Sequence, residues 1–214
     1  MSIFALGVFV AVIASVVCVI RTKDPVKRGR FLKKAALILM GTFSAFIALF
    51  IAGDTFNDPG GWAAVGYVAL WALPIVALGA LAWLRPSFAI GVFAALIIAM
   101  FGVYVWSAIA SDAWSTYEDS VGPVRTIAAF VIAAPLAILG WKQPFAAGLM
   151  LLLLAVPPAI MLAASDSAFG GTIFIATSPV SVTGILYLLA ARFERQGQGP
   201  PETKEDGGSL PKAA

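Results

Sequence analysis

The sequence predicts an all-α membrane protein, a bundle of about seven transmembrane helices, from its composition, the spacing of its apolar runs and the placement of its charges. Hydrophobic residues make up 61% of the 214 residues and charged residues 12%, and the mean hydropathy is +0.96. A soluble globular domain is far less apolar. The charges are clustered, and the apolar runs between clusters approach the roughly 20 residues that a helix needs to cross a bilayer.

The basic segment at residues 21–34 sets the predicted orientation. This segment, RTKDPVKRGRFLKK, follows the first apolar run and carries seven basic residues and one acid. Basic loops of this length stay on the cytoplasmic side. A cleavable signal peptide has its positive charges before the apolar run, which is the opposite order. We therefore expect the N-terminus to lie outside, the C-terminus inside, and Arg125 to be the only basic residue outside.

Seven spans with short connections follow from these rules. They form one transmembrane domain and cover residues 2–20, 35–53, 62–84, 89–110, 121–141, 145–164 and 172–191. Only 16 residues separate Arg125 from Lys142, so the fifth span either begins near Val121 with Arg125 reaching outward, or is thin or re-entrant. The connection 54–61 is rich in Asp, Asn, Pro and Gly and is predicted to be a turn. At the two inner turns, Trp83 and Trp141 each precede a cation and a proline. Residues 192–214 mix both charge signs with Gly, Pro and Gln, which is typical of a disordered tail, here a cytoplasmic one.

Prolines and small residues give the spans internal patterns. A Pro-x4-Gly pair recurs in the third, fifth and seventh spans, at Pro74 and Gly79, Pro135 and Gly140, and Pro179 and Gly184. A proline inside a helix frees the carbonyl four residues earlier, so these three spans are predicted to be kinked and could frame a cavity lined by the carbonyls of Leu70, Val131 and Ile175. The alternative interpretation is that the pairs tune helix packing.

Two further patterns bear on how the spans are arranged. Small residues at spacing four, which let helices approach closely, occur at Gly7, Ala11 and Ser15, at Gly41 and Ala45, and at Gly91, Ala95 and Ala99. The sixth span contains the double proline at 157–158, which predicts a kink or a break.

Two sets of residues are candidates for binding. Carboxylates and an aromatic residue in the external loops could hold a hard cation, an organic cation or a partner's basic segment, at Asp54, Asp58, Asp112, Trp114, Glu118 and Asp119. The alternative is a passive solvated rim. Thr177 and Ser181 share one face of the seventh span and could line an intramembrane polar track, although such hydroxyls often bond back to the helix backbone instead.

Composition excludes several classes of function. The chain has no histidine and a single cysteine, Cys18, which argues against a disulfide, a metal site, a cofactor and most catalytic dyads. The net charge of +3 comes from the loops, so no nucleic-acid partner is expected. The sequence favours a non-enzymatic accessory or interaction protein whose partners are the lipid bilayer and another membrane protein.

The alternative function is a small transporter or permease-like protein with a site framed by the kinked third, fifth and seventh spans. A membrane enzyme acting on lipid would have only the external carboxylates for its chemistry. Ala-rich spans, very short loops and the lack of a soluble domain indicate a multi-pass protein of a prokaryotic plasma membrane.

Overall fold

The part of the chain that the structure describes is almost entirely helical and contains no strand. This computed structural model describes residues 22, 24–57, 61–109, 132–164 and 167–197, except for the side chains at 50–52, 54–57, 64, 67, 71, 104, 107–109, 158–164 and 167–176. Six helices account for these ranges: α1 Pro25–Asn57, α2 Gly61–Leu84, α3 Pro86–Ile109, α4 Ile132–Lys142, α5 Pro144–Ala164 and α6 Ser167–Gly197. They coincide with the predicted second, third, fourth, sixth and seventh spans and with the second half of the predicted fifth span, whose residues 121–131 lie outside the described residues. The predicted first span and the predicted loop 111–125 lie outside the described residues.

Three of the described helical segments are long and apolar enough to cross a membrane, by length and composition. These are Pro25–Leu49, Gly61–Leu84 and Pro86–Val103, and two shorter apolar helices are Ile132–Lys142 and Pro144–Pro157. The finding confirms the predicted all-helical class and is consistent with a membrane location. Seven spans and their orientation stay predictions.

Helix α1 begins well before the point that hydropathy indicates. Pro25 is its first residue, where a missing N–H costs nothing. Asp24 caps it, because Asp24 Oδ1 accepts hydrogen bonds from the N–H groups of Val26 at 2.9 Å and Lys27 at 3.4 Å. The basic residues from Lys27 to Lys34, predicted to lie in a loop, therefore form the first turns of a helix.

Other boundaries also differ from the predicted ones, because a helix does not have to end where its apolar run ends. Helix α1 continues to Asn57, into the predicted turn at 54–61. Helix α6 continues to Gly197, so the first residues of the predicted disordered tail are helical, and residues 198–214 lie outside the description. Helix α5 runs through Pro157 and Pro158 without the predicted break.

The core lies between α1, α4, α5 and α6. Helix α6 packs along both α1 and α5. Completely or almost completely buried side chains come from each of these four helices, among them Met40, Leu136, Leu139, Leu151, Leu154 and Tyr187. Helices α2 and α3 form a hairpin, and the buried apolar side chains among its described residues are Ala82, Ala89, Phe93 and Ile97. The hairpin is thus peripheral and contacts the core near the turn at Arg85.

The glycines of the three Pro-x4-Gly pairs lie at contacts between helices. A Cβ added at Gly79 would lie 3.0 Å from Ile138 Cδ1 of α4, and one at Gly184 would lie 3.0 Å from the Gly148 carbonyl oxygen of α5. One at Gly140 would lie 2.5 and 2.6 Å from the ring atoms Cε2 and Cε1 of Tyr187. These contacts support the packing interpretation of the pairs. Pro74 and Pro179 lie inside α2 and α6, and their kinks stay predictions.

Candidate functional site

All the lysines and arginines that the structure describes lie at one end of the bundle. We call this the basic end and define it as residues 24–34, 83–88, 141–145 and 192–197. It holds nine cations, Lys27, Arg28, Arg30, Lys33, Lys34, Arg85, Lys142, Arg192 and Arg195, and the carboxylates of Asp24 and Glu194. The sequence predicts that these segments share one face of the membrane, and contacts between them place them together. Which side that face occupies stays a prediction.

Lys33 of α1 contacts residues of α4 and α6 at the basic end. Its Nζ lies 2.6 Å from Oε1 of Glu194 on α6, and the two side chains are only 14% and 30% exposed. The same Nζ donates to the carbonyl oxygen of Trp141 on α4 at 3.4 Å and lies 5.8 Å from the centre of the Trp141 ring. Charge, hydrogen bonding and cation–π attraction thus act on one partly buried ammonium group.

Three further cations lie over aromatic rings and link neighbouring helix ends. Lys142 Nζ lies 4.9 Å from the centre of the Trp83 ring and also donates to the Trp83 carbonyl oxygen. Arg28 lies 5.7 Å from the Phe193 ring centre, and Arg195 lies 4.9 Å from that of Phe145. Trp83 and Trp141 stand out in the sequence at the two turns that are predicted to be inner, but the lysine that contacts each ring comes from elsewhere in the chain. Sequence reasoning therefore found the aromatic residues and missed the pairs.

Replacing Glu194 by glutamine is expected to destabilise the bundle by about 1–2 kcal/mol, because Lys33 would keep its charge in a partly buried place without a carboxylate. The matched control is Lys27→Gln, which removes a 4.0 Å pair with Asp24 in which the side chains are 75% and 46% exposed. That change should cost less than about 0.5 kcal/mol. Unfolding of the purified variants by titration with sodium dodecyl sulfate measures both values. Equal effects of the two substitutions would contradict a structural role for the Lys33–Glu194 pair.

A groove opens at the basic end between the start of α5 and the end of α6. Its volume is about 420 Å³, and its lining residues are Phe145, Leu188, Ala191, Arg192, Arg195 and Gln196. The exposed lining is mostly apolar, and Arg192, Arg195 and Gln196 supply the polar groups. The groove can therefore accept a molecule that is apolar at one end and anionic at the other.

The predicted external site falls almost entirely outside the described residues. Asp58, Asp112, Trp114, Glu118 and Asp119 are not described. Asp54 lies in the last turn of α1, and the description does not extend to its side chain. The external cation or ligand site stays a prediction.

The predicted polar track lies on α6. Thr177 and Ser181 are both half-buried and are one turn apart. Nearby, the completely buried Thr183 donates its hydroxyl to the carbonyl oxygen of Pro179 at 2.6 Å. Bonding back to the helix is the alternative that the sequence offers for such hydroxyls, and Thr183 adopts it.

In the described ranges, no group of three or more His, Cys, Asp or Glu side chains is placed to hold a metal ion. The described surface is instead divided into a cationic end and an apolar remainder.

No family model matches the chain, and no curated protein or solved structure matches it either.

Proposed function

We propose that this chain is a multi-pass, non-enzymatic protein of a prokaryotic plasma membrane that serves as an accessory subunit. In this proposal the α2–α3 hairpin packs against a helix of another membrane protein. The observation that carries it is a stripe of small residues on α3, Gly91, Ala95 and Ala99, which is exposed and which no described residue covers.

The hairpin contacts the rest of the described bundle over a small part of its surface. Its buried residues lie in the half nearer the basic end. Farther from that end, Leu70, Leu73 and Val76 of α2 and Ile98 and Trp106 of α3 are all exposed. The outer half of the hairpin thus presents apolar surface that the described part of the chain leaves available to lipid or to a partner.

The small residues favour a protein partner over lipid alone. Burial of apolar side chains does not drive helices together inside a bilayer, and close approach at small residues does. Glycine in a helix costs roughly 0.5–1 kcal/mol relative to alanine. At Gly140 and Gly148 a neighbouring helix occupies the space that a side chain would fill, whereas a Cβ at Gly91 would meet no described atom within 4 Å. The space beside Gly91 is therefore available to a helix of another protein.

The glycines of the three Pro-x4-Gly pairs weigh against the permease-like alternative. A transport site framed by the three Pro-x4-Gly pairs requires open space beside them. Ile138, Tyr187 and Gly148 occupy the space beside Gly79, Gly140 and Gly184. Close packing at all three positions supports a static bundle that is built for association.

Photo-cross-linking in native membranes tests the accessory role. A photoreactive amino acid at Ala95 is expected to give one discrete protein adduct, while the same residue at Leu153, an exposed position on α5, gives none. Gly91→Leu should abolish the Ala95 adduct without lowering the melting temperature, because no described atom lies near that Cβ. Ala80→Leu, at an exposed position of α2, is the matched control and should leave the adduct unchanged.

Two outcomes would overturn the proposal. One is an adduct that maps to another segment of the same chain, which would mean that the stripe serves internal packing. The other is an adduct pattern that is the same at Ala95 and Leu153, which would mean that both positions face lipid in the same way.

A further inference from the structure

We propose that the groove between the start of α5 and the end of α6 binds an anionic phospholipid, with the phosphate at Arg192 and Arg195 and the upper part of an acyl chain along Leu188 and Ala191. This inference rests on the membrane location that is part of the proposed function. It does not depend on the accessory role of the α2–α3 hairpin.

The groove lies where the apolar part of the chain meets its charged part. Leu188 and Ala191 belong to the last turn of the apolar run of α6, and Arg192 is the first charged residue after it. Phe145 is in the first turn of α5 and also lines the groove. A phospholipid has the same order of chemical groups along its length, from the apolar acyl chain through glycerol to the charged phosphate. The groove therefore matches a lipid lying parallel to the helices.

Within the described residues, no carboxylate pairs with either arginine of the groove. Arg192 is exposed, and no carboxylate in the described part of the chain pairs with it. Arg195 stacks over Phe145 at 4.9 Å, an arrangement that leaves the edge of a guanidinium group free to donate. The neighbouring carboxylate, Glu194, is held by Lys33 at 2.6 Å. Two guanidinium groups are thus available for the charge-assisted, bidentate hydrogen bonds that phosphate oxygens accept.

The apolar lining selects a lipid over a soluble phosphate. A free phosphate or glycerol phosphate would satisfy the arginines and leave Phe145 and the exposed part of Leu188 uncovered. The volume of about 420 Å³ lies within the range of roughly 300–1,000 Å³ that is usual for small-molecule sites. A zwitterionic lipid would bring a quaternary ammonium group close to two guanidinium groups. The apolar lining and the two arginines together favour a phospholipid with net negative charge.

Native mass spectrometry of the full chain in mild detergent tests the site, with phosphatidylglycerol and phosphatidylcholine titrated in parallel. We expect phosphatidylglycerol to bind more tightly, and R192Q/R195Q to weaken its binding about tenfold, as loss of two charge-assisted contacts implies. The matched control is R30Q/K34Q, which removes two exposed cations of the basic end that lie outside the groove. It should change the affinity less than about twofold.

Three results would overturn the proposal. Equal weakening by R192Q/R195Q and R30Q/K34Q would indicate general attraction to a basic surface. Competition by glycerol phosphate at the concentration at which phosphatidylglycerol binds would indicate a soluble phosphate ligand. Equal affinity for the two lipids would show that the arginines do not select charge. Should the double variant fail to fold, R192Q alone carries the test, with about threefold weakening expected, since Arg192 pairs with no described carboxylate.

Discussion

Gly140→Ala is expected to destabilise the folded bundle by about 3 kcal/mol, because the new methyl group would overlap the ring of Tyr187. An added Cβ would lie 2.5 and 2.6 Å from two ring carbons. The ring has little room to move, since Tyr187 is completely buried and its hydroxyl donates to the carbonyl oxygen of Ala137 at 2.6 Å. Relief of the overlap therefore requires either loss of this hydrogen bond or separation of α4 from α6.

The free energy of unfolding is measured by titrating the purified protein with sodium dodecyl sulfate. The loss of the helical circular dichroism signal is the readout. The control is Gly41→Ala at an exposed site of α1, where an added Cβ meets nothing within 4 Å; it should be neutral or slightly stabilising. A second measurement isolates the contact. In a Tyr187→Leu background, Gly140→Ala should cost less than about 1 kcal/mol, since the overlapping ring is gone. Equal costs with and without the ring would refute the assignment.

Composition and charge predicted the class of fold and the clustering of the cations. Both are properties of short stretches of sequence, because hydrophobic runs and basic loops are sorted by the bilayer segment by segment. The turns at Trp83 and Trp141 were singled out in this way, and the structure places both at the basic end. That they lie on the cytoplasmic side stays a prediction.

Helix boundaries were less predictable, because a helix ends according to its capping and tertiary contacts and not according to hydropathy. Asp24 before Pro25 is a local capping signal that could have placed the start of α1 correctly. The end of α6 had no such signal. It extends beyond the apolar run to a segment in which Glu194 meets Lys33 and Phe193 meets Arg28, and both partners are far away in the sequence.

The candidate sites show the same division. The Pro-x4-Gly repeat singled out Gly79, Gly140 and Gly184 but left open whether they line a cavity or pack against neighbours. Only the arrangement of the helices decides this, and it favours packing. The groove at Arg192 escaped sequence reasoning because Phe145 and Arg195 belong to different helices and the predicted tail began at residue 192.

Gly148→Ala is expected to cost about 2–3 kcal/mol because the obstacle is backbone. A Cβ at Gly148 would lie 2.8 Å from the Gly184 carbonyl oxygen and 3.0 Å from the Leu188 nitrogen, and one at Gly184 would lie 3.0 Å from the Gly148 carbonyl oxygen. Helices α5 and α6 thus approach each other through a reciprocal pair of glycines. A side chain can rotate away from a new methyl group, but two helix backbones can only move apart, which loosens packing along their whole contact.

The Gly148/Gly184 pair makes a further prediction that a side-chain clash does not make. Gly184→Ala alone should cost about 1–2 kcal/mol, and the double variant should cost less than the sum of the two single variants, because the first methyl group already separates the helices. The same detergent titration measures all three, with Gly41→Ala again as the control. Strictly additive costs would mean that each methyl group is accommodated locally. The two glycines would then not set the distance between α5 and α6.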